Sequence, residues 1–229
     1  MKALRELLSS LSIILYWREL KKSWESATPA DLVDMVLDCP AIRSLQRRSE
    51  FLELITLLRE QKCKYLLEIG TYKGGTLFVF SQLAASDATV ISLDFPGTLF
   101  GKLHRASQAL LFRKLTRKGQ SFYSLRSDSH RPETLAIIRN ILQGNKLDFL
   151  FIDGDHSYEG VREDFKMYAP LVRDGGLIAF HDISPCEASA REPRKEVYRF
   201  WEEVKRDHIH REFIEPITVN SMGIGVLWI

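Results

Sequence analysis

The sequence predicts an α/β fold: a doubly wound, mostly parallel sheet of seven strands, with an antiparallel C-terminal edge hairpin and an N-terminal helical extension. Three observations predict it. From Tyr65 onward, short apolar runs alternate with segments of helical period, the pattern of a parallel sheet covered by helices on both faces. The run Tyr65–Ile69 feeds directly into Gly70, Gly74 and Gly75 and then a helical stretch, Thr76–Ala85. That is the strand, glycine turn and helix that open a doubly wound sheet. Finally, the runs Phe213–Val219 and Gly225–Ile229 have no helical segment between them, so they pair antiparallel at an edge.

Residues 1–24 carry Leu4, Leu7, Leu8, Leu11 and Leu15 at helical spacing. Thr28-Pro29 reads as a cap and first-turn proline for a helix through Leu37, which Pro40 ends. A helix over Ser49–Gln61 presents Phe51, Leu54, Ile55 and Leu58 on one face. Strands follow at Thr89–Asp94, Ser121–Leu125, Leu147–Ile152 and Leu177–His181, the last introduced by an Asp174-Gly175-Gly176 turn. The intervening helices are expected near His104–Arg117, Pro132–Gln143, Tyr158–Leu171 and Glu196–Asp207. Residues 1–48 then form a helical arm, a lid or oligomer contact, and residues 49–229 the α/β domain.

With 45% hydrophobic and 27% charged residues in 229, the composition is that of a globular domain. A net charge of +2 gives no general case for nucleic acid. The clusters Arg43–Arg48 and Arg113–Lys118 read as solvated helix faces. Cys39, Cys63 and Cys186 are odd in number and widely spaced, which suits a reducing, cytoplasmic compartment and neither a disulfide framework nor a cysteine zinc site. The apolar run Leu7–Trp17 is too short to span a bilayer. Its two serines and the Arg-Glu-Leu-Lys-Lys that follows weigh against a signal peptide, and an amphipathic arm fits better.

The polar residues fall at strand ends. Glu68 and its glycines end the first strand, Asp94 the second, Asp128-Ser129 follow the third, Asp153-Gly154-Asp155-His156 the fourth and His181-Asp182 the fifth. Right-handed crossovers bring all of them to one edge of the sheet, where such folds bind ligands. Glycines in the turn let a ligand approach the backbone, and Glu68 is placed to accept from a cationic ligand amine. Turn glycines also occur for purely structural reasons. The Gly-x3-Gly-Gly spacing is not the Gly-x-Gly-x-x-Gly of nicotinamide cofactor folds. Asp94 lies 24 residues beyond Gly70, a suitable place to hold two ribose hydroxyls. Asp128-Ser129 and His156 have the alternative of capping the helices after them.

Five segments carry a family resemblance: Leu66–Gly75, Leu93-Asp94, Ser127–Ser129, Phe151–Gly160 and Gly175–Asp182. Together, across residues 49–182, they resemble class I S-adenosylmethionine-dependent methyltransferases, whose sheet is Rossmann-like. More narrowly, they resemble the group that includes cephalosporin hydroxylase-like proteins and natural-product sugar O-methyltransferases. The Ile-Asp-Gly-Asp-His-Ser-Tyr run is the most specific part. The resemblance implies S-adenosylmethionine as cofactor, bound by Glu68, Gly70, Thr71 and Gly74 of the loop, Asp94 at the ribose, Asp128-Ser129 beside the adenine, and Asp153 near the methionine. It implies His156 as general base and a divalent cation, Mg²⁺ or Mn²⁺, at Asp153, His181 and Asp182. In the family that strand-five pair is acidic; here one acid is histidine. Asp and His together suit Mn²⁺ or another transition metal, whereas Mg²⁺ prefers oxygen, and His181 has the alternative of orienting Asp182. The expected acceptor is a small hydroxylated molecule, bordered by loops 95–105 and 183–195. Two other readings remain open: a non-catalytic binding or assembly protein on the same fold, and a dinucleotide-dependent oxidoreductase.

Overall fold

The computed structural model describes residues 26–96, 110–114, 116–185, 195–215 and 222–229. The expected helix over 1–24 and its Leu7–Trp17 run, most of the helix near His104–Arg117, and the acceptor-loop residues Phe100, Lys102, His104, Arg105, Arg191 and Arg194 lie outside them, as does Cys186.

Helix α1 (Pro29–Asp38) begins as the Thr28-Pro29 signal dictates. The Thr28 hydroxyl accepts from the Asp31 amide at 3.2 Å while the Asp31 carboxylate accepts from the Thr28 amide at 2.8 Å, a reciprocal capping box. Its face Leu32, Val33 and Val36 is buried. Helix α2 (Arg48–Gln61) buries Phe51, Leu54, Ile55 and Leu58 and ends at Lys62, whose φ of 45° breaks the helical path. After β1 (Tyr65–Ile69) come α3 (Gly75–Leu83), β2 (Thr89–Asp94), a helical turn at 110–114, β3 (Ser121–Arg126), α4 (Pro132–Leu142) and β4 (Leu147–Ile152). The chain closes with α5 (Tyr158–Tyr168), β5 (Val172–His181), α6 (Val197–Val204), β6 (Ile209–Phe213) and β7 (Ile224–Trp228).

The seven strands run in the order β3-β2-β1-β4-β5-β7-β6. The first five are parallel, and β7 enters antiparallel between β5 and β6. The chain leaves β1 toward β2 and β3 on one side and resumes with β4 on the other. The β1/β4 boundary is therefore the switch point at which open α/β sheets bind ligands. Strand side chains alternate between two cores. Leu66, Val90, Phe149 and Phe151 pack with α1–α3, and Leu67, Ile91, Leu150 and Ile152 with α4–α6. Phe80 of α3 meets Phe149 and Phe151 edge-on at 5.1 and 5.4 Å between centroids, a favoured aromatic arrangement.

Three expectations change. Strand β5 starts at Val172, five residues early: Val172 pairs with Leu147 and Leu177 with Phe149, so Asp174-Gly175-Gly176 is a bulge inside the strand. The Gly176 carbonyl accepts from the Ile229 amide at 3.1 Å, which gives the bulge a partner and stops it acting as a free turn. Strand β6 covers Ile209–Phe213, ahead of the expected Phe213–Val219, whose residues 216–219 lie outside the described ones. It is the outermost strand, and only Phe213 is buried in it, so no alternation marks it. Residues 43–47 are not a helix face but an irregular segment in which Ser44 and Gln46 are buried and Arg43 and Leu45 exposed.

Candidate active site

A cavity of about 1100 Å³ opens across the carboxyl ends of β1 to β5. It is lined by Gly70 and Thr71 from the first loop, Asp94, Asp128 and Ser129 from the next two, and Asp153, His156, His181 and Asp182 from the last two. Sequence reasoning thus placed nine residues on one wall. Glu68 and Gly74 are not among the lining residues.

The glycines serve the protein's own packing. A Cβ on Gly70 would stand 1.9 Å from the Asp153 carbonyl oxygen, and one on Gly74 would enter the Phe112 ring at 2.0 Å. Close approach of backbone and side chains, more than room for a ligand, dictates these positions. Thr71 is buried and shares a 2.8 Å hydrogen bond with Ser92. Glu68 is buried beneath the loop, accepting from the Thr76 hydroxyl. Burial pushes its carboxyl up from 4.5 to about 8, against the hydrogen bonds from Thr76 and Thr71. Between those values the folded chain holds a proton that the unfolded chain releases, so Glu68 makes stability fall as pH rises. Glu68→Gln, neutral at every pH, should gain melting temperature relative to wild type between about pH 5 and about pH 9. Parallel melting curves across that range would mean that Glu68 is already ionised in the fold.

At the β2 and β3 ends, Asp94 accepts from Arg126 at 2.7 Å through Oδ2 and from the Phe95 amide at 3.0 Å through Oδ1. The partly exposed carboxylate is thereby fixed in orientation. Asp128 Oδ1 accepts from the His130 amide at 2.9 Å, and its carbonyl accepts from the Thr134 hydroxyl at 2.7 Å. Asp128 therefore closes the loop before α4, whose N-cap, Arg131, makes no side-chain cap.

The β4 and β5 ends carry an alternating chain of acids and histidines. Gln46 donates through Nε2 to Asp153 Oδ2 at 2.9 Å. Asp153 Oδ1 lies 3.0 Å from His181 Nδ1, and His181 Nδ1 lies 3.7 Å from Asp182 Oδ1. Asp182 Oδ2 lies 2.6 Å from His156 Nδ1 and 3.5 Å from Lys195 Nζ. Burial alone would raise the Asp182 carboxyl, but the His156 hydrogen bond and the charges of His181, His156 and Lys195 outweigh it and hold it at about 2. Burial works against a charged His181, yet the charge and hydrogen bond of Asp153 lift it to about 9. His156 is raised in the same way, burial being overcome by Asp182 and Asp153. The helix α5 cap is Ser157, which accepts from the Gly160 amide at 3.0 Å. His156 is thus released from capping and held by Asp182 instead. Asp182 itself takes a φ of 62°, a left-handed conformation that Asp tolerates better than most residues.

Asp153, His181 and Asp182 bring one donor atom each to within 4.8 Å of one another. His181 Nε2 is buried and lacks a hydrogen-bond partner among the described residues. Two carboxylates and an imidazole fit a divalent cation of transition-metal type. Gln46 and Lys195 complete the surroundings. Gln46 carried no sequence signal, since one glutamine among arginines reads as surface. Lys195 falls in the loop 183–195 that the sequence places beside the acceptor.

The family model described as a methyltransferase domain matches residues 67–183, just over half the chain, and the chain belongs to that family. An uncharacterized protein of Acanthamoeba polyphaga mimivirus is 31% identical over 116 residues, covering 51% of this chain and 50% of its own. One from Sinorhizobium fredii is 23% identical over 152 residues, 66% of this chain and 16% of its own. The chain therefore spans half or less of the curated relatives it matches. Among solved structures, an O-methyltransferase from Bacillus cereus in complex with S-adenosylhomocysteine superposes with a TM-score of 0.63 at 17% identity, over 89% of this chain and 91% of that one. The O-methyltransferase TomG of Streptomyces achromogenes, involved in tomaymycin synthesis and in complex with S-adenosylmethionine, gives 0.58 at 14% identity, over 89% and 90%. The fold is that of class I S-adenosylmethionine-dependent O-methyltransferases.

Proposed function

We propose that this chain methylates a hydroxyl oxygen of a small molecule, a sugar or another secondary metabolite, using S-adenosylmethionine. The observation that carries the reading is the His156–Asp182 pair in a cavity whose wall also holds Asp94 at the end of β2. S-adenosylmethionine, when bound, supplies a methyl group on a sulfonium, open to in-line displacement. Asp94, held by Arg126, would accept from the two ribose hydroxyls. A neutral hydroxyl is a poor nucleophile and needs a base. Asp182 accepts a hydrogen bond from the Nδ1–H of His156, which leaves Nε2 with the lone pair that can receive the acceptor's proton. The acceptor oxygen would take the methyl of bound S-adenosylmethionine as the thioether leaves, and His156 would take up the hydroxyl proton as imidazolium, opposite the Asp182 charge. Positioning of the two reactants supplies much of the remaining acceleration.

Asp153, His181 and Asp182 would hold a divalent cation, and such an ion acidifies a bound hydroxyl. Mn²⁺ suits the imidazole in this set better than Mg²⁺ does. We assign residues 1–48 as a lid or a subunit contact, because Ser44 and Gln46 already reach the cavity wall. Cytoplasmic action suits Cys39 and Cys63, both free thiols. Among the described residues no helix is long and apolar enough to cross a membrane.

Calorimetric titration with S-adenosylmethionine and S-adenosylhomocysteine, with and without Mn²⁺, tests the proposal. Micromolar binding is expected, and Asp94→Ala should weaken it about tenfold to a hundredfold, since two hydrogen bonds to a charged acceptor are lost. Unchanged affinity in that variant would remove the ribose assignment. Absence of binding by the wild type, with or without cation, would overturn the methyltransferase reading in favour of a dinucleotide or a protein partner. Binding without turnover on any hydroxylated acceptor would favour an assembly role.

A further inference from the structure

Lys195 stands in an uncommon place for a lysine. Lysine side chains are mostly exposed and are almost never buried without a partner. This one is only 18% exposed and lines the cavity. The backbone beside it is pinned. The Glu196 amide donates to the His156 carbonyl at 2.8 Å, and Val197, the first residue of α6, is buried. Lys195 is thereby brought in next to the loop that carries His156, and its Nζ lies 3.5 Å from Asp182 Oδ2. An ammonium withdrawn from water needs such a carboxylate.

The same carboxylate is one of the three proposed cation ligands. Asp153 and Asp182 are arranged alike: each turns Oδ1 toward His181 Nδ1, at 3.0 and 3.7 Å. Each also has Oδ2 engaged by other side chains, and here the two differ. The neighbour of Asp153 is neutral, Gln46 Nε2 at 2.9 Å. The neighbours of Asp182 are His156 Nδ1 at 2.6 Å and the Lys195 ammonium. A neutral donor leaves the charge of a carboxylate available to a cation, whereas an ammonium offsets it. A dication among the three ligands is therefore attracted by two carboxylates and repelled by a positive charge lying against one of them. Over a few ångströms, with little water between, that repulsion is a large term in affinity.

Lysine differs from a fixed counter-ion in having a flexible four-carbon stem. Its ammonium can leave Asp182, and the cavity it lines is the space open to it. We infer that Lys195 is a tethered cation that competes with the divalent ion for Asp182, so that the ion binds as the ammonium withdraws into the cavity. The inference rests on the proposed cation site and adds the residue that sets its affinity. Uptake of the ion then moves a positive charge toward the part of the cavity assigned to the acceptor.

The test is calorimetric titration of the whole chain with Mn²⁺ alone, at one pH and ionic strength. Wild type is compared with Lys195→Met, Lys195→Gln and Lys195→Arg, each checked for a cooperative melt. The two neutral variants should bind Mn²⁺ about tenfold to a hundredfold more tightly than wild type. Lys195→Arg keeps the charge and should stay within about threefold of wild type. Adding Asp182→Asn to Lys195→Met should abolish the gain, since the contested carboxylate is gone. The paramagnetic resonance of free Mn²⁺, which falls as the ion is bound, gives the same affinities without any turnover. A lysine with only a structural role would lower the melting temperature on removal and would not tighten the ion. Affinity equal to or weaker than wild type in both neutral variants would overturn the competition and leave the cation site standing. A gain that survives Asp182→Asn would also overturn it, by placing the ion elsewhere. Failure of wild type and every variant to take up Mn²⁺ would overturn both the competition and the cation site.

Discussion

If His156 is the proposed general base, His156→Ala should lower the rate of methyl transfer by about 10²- to 10⁴-fold and leave cofactor affinity within about twofold. The separation follows from geometry. His156 stands with Asp182 at the β4–β5 end, while Asp94 stands two strands away across β1 in the strand order. Its Nδ1 is committed to Asp182 at 2.6 Å, so the variant removes one proton acceptor and leaves the cofactor contacts assigned to other residues. The pH profile carries the same signature. Asp182 and Asp153 outweigh burial and raise His156 above its ordinary 6.5. A base must be neutral to accept, so the wild-type rate should climb as pH rises through that raised value, and the residual rate of the alanine variant should lose this rise. Single-turnover rates across the pH range, with titration of S-adenosylhomocysteine alongside, check both. A variant that keeps wild-type turnover would end the role of His156 as base. Equal loss of turnover and cofactor affinity would make it a binding residue instead.

What the sequence revealed and what it hid have a common physical origin. Strands β1, β2 and β4 are buried on both faces, so each is a mainly apolar run, and the polar residues at its carboxyl end are conspicuous. Asp94, Asp153, His181 and Asp182 were legible for that reason. The Thr28-Pro29 start of α1 was legible because capping is local chemistry. Strand β6 was not, because an edge strand with Ile209 at 78% exposure has no buried face to write an alternating pattern. The early start of β5 was hidden by Gly175-Gly176, which read as a turn until the Ile229 backbone is known to lie opposite. Gln46 was hidden for a third reason: it matters through Asp153, a partner 107 residues away, and no periodicity records such a pairing.

Gly70→Ala should destabilise the fold by several kcal/mol and abolish cofactor binding. The position is closed on every side. Its amide donates to the Leu93 carbonyl at 2.8 Å, and the Asp153 amide donates to the carbonyl of Ile69 beside it, also at 2.8 Å. β1, β2 and β4 are thus tied together at the switch point. A methyl group there would lie 1.9 Å from the Asp153 carbonyl oxygen and 2.7 Å from Gly154 Cα, both backbone atoms with no rotamer to escape into. Overpacking a rigid site costs about 1–3 kcal/mol, and a φ of +85° adds about 1–2 kcal/mol for any residue with a Cβ. Against a total stability on the order of 5–15 kcal/mol, that sum is a large fraction. Gly144→Ala separates the two contributions, since Gly144 has a φ of +83° and nothing within 4 Å of an added Cβ. It should lose about 1–2 kcal/mol and keep full cofactor affinity. Denaturant melts of both variants give the two costs, and titration shows whether Asp153 has moved. Similar losses in both variants would mean that the backbone around Asp153 yields to the methyl group. In that case ligand space, and not the junction of β1 with β4, would be the reason for a glycine at position 70.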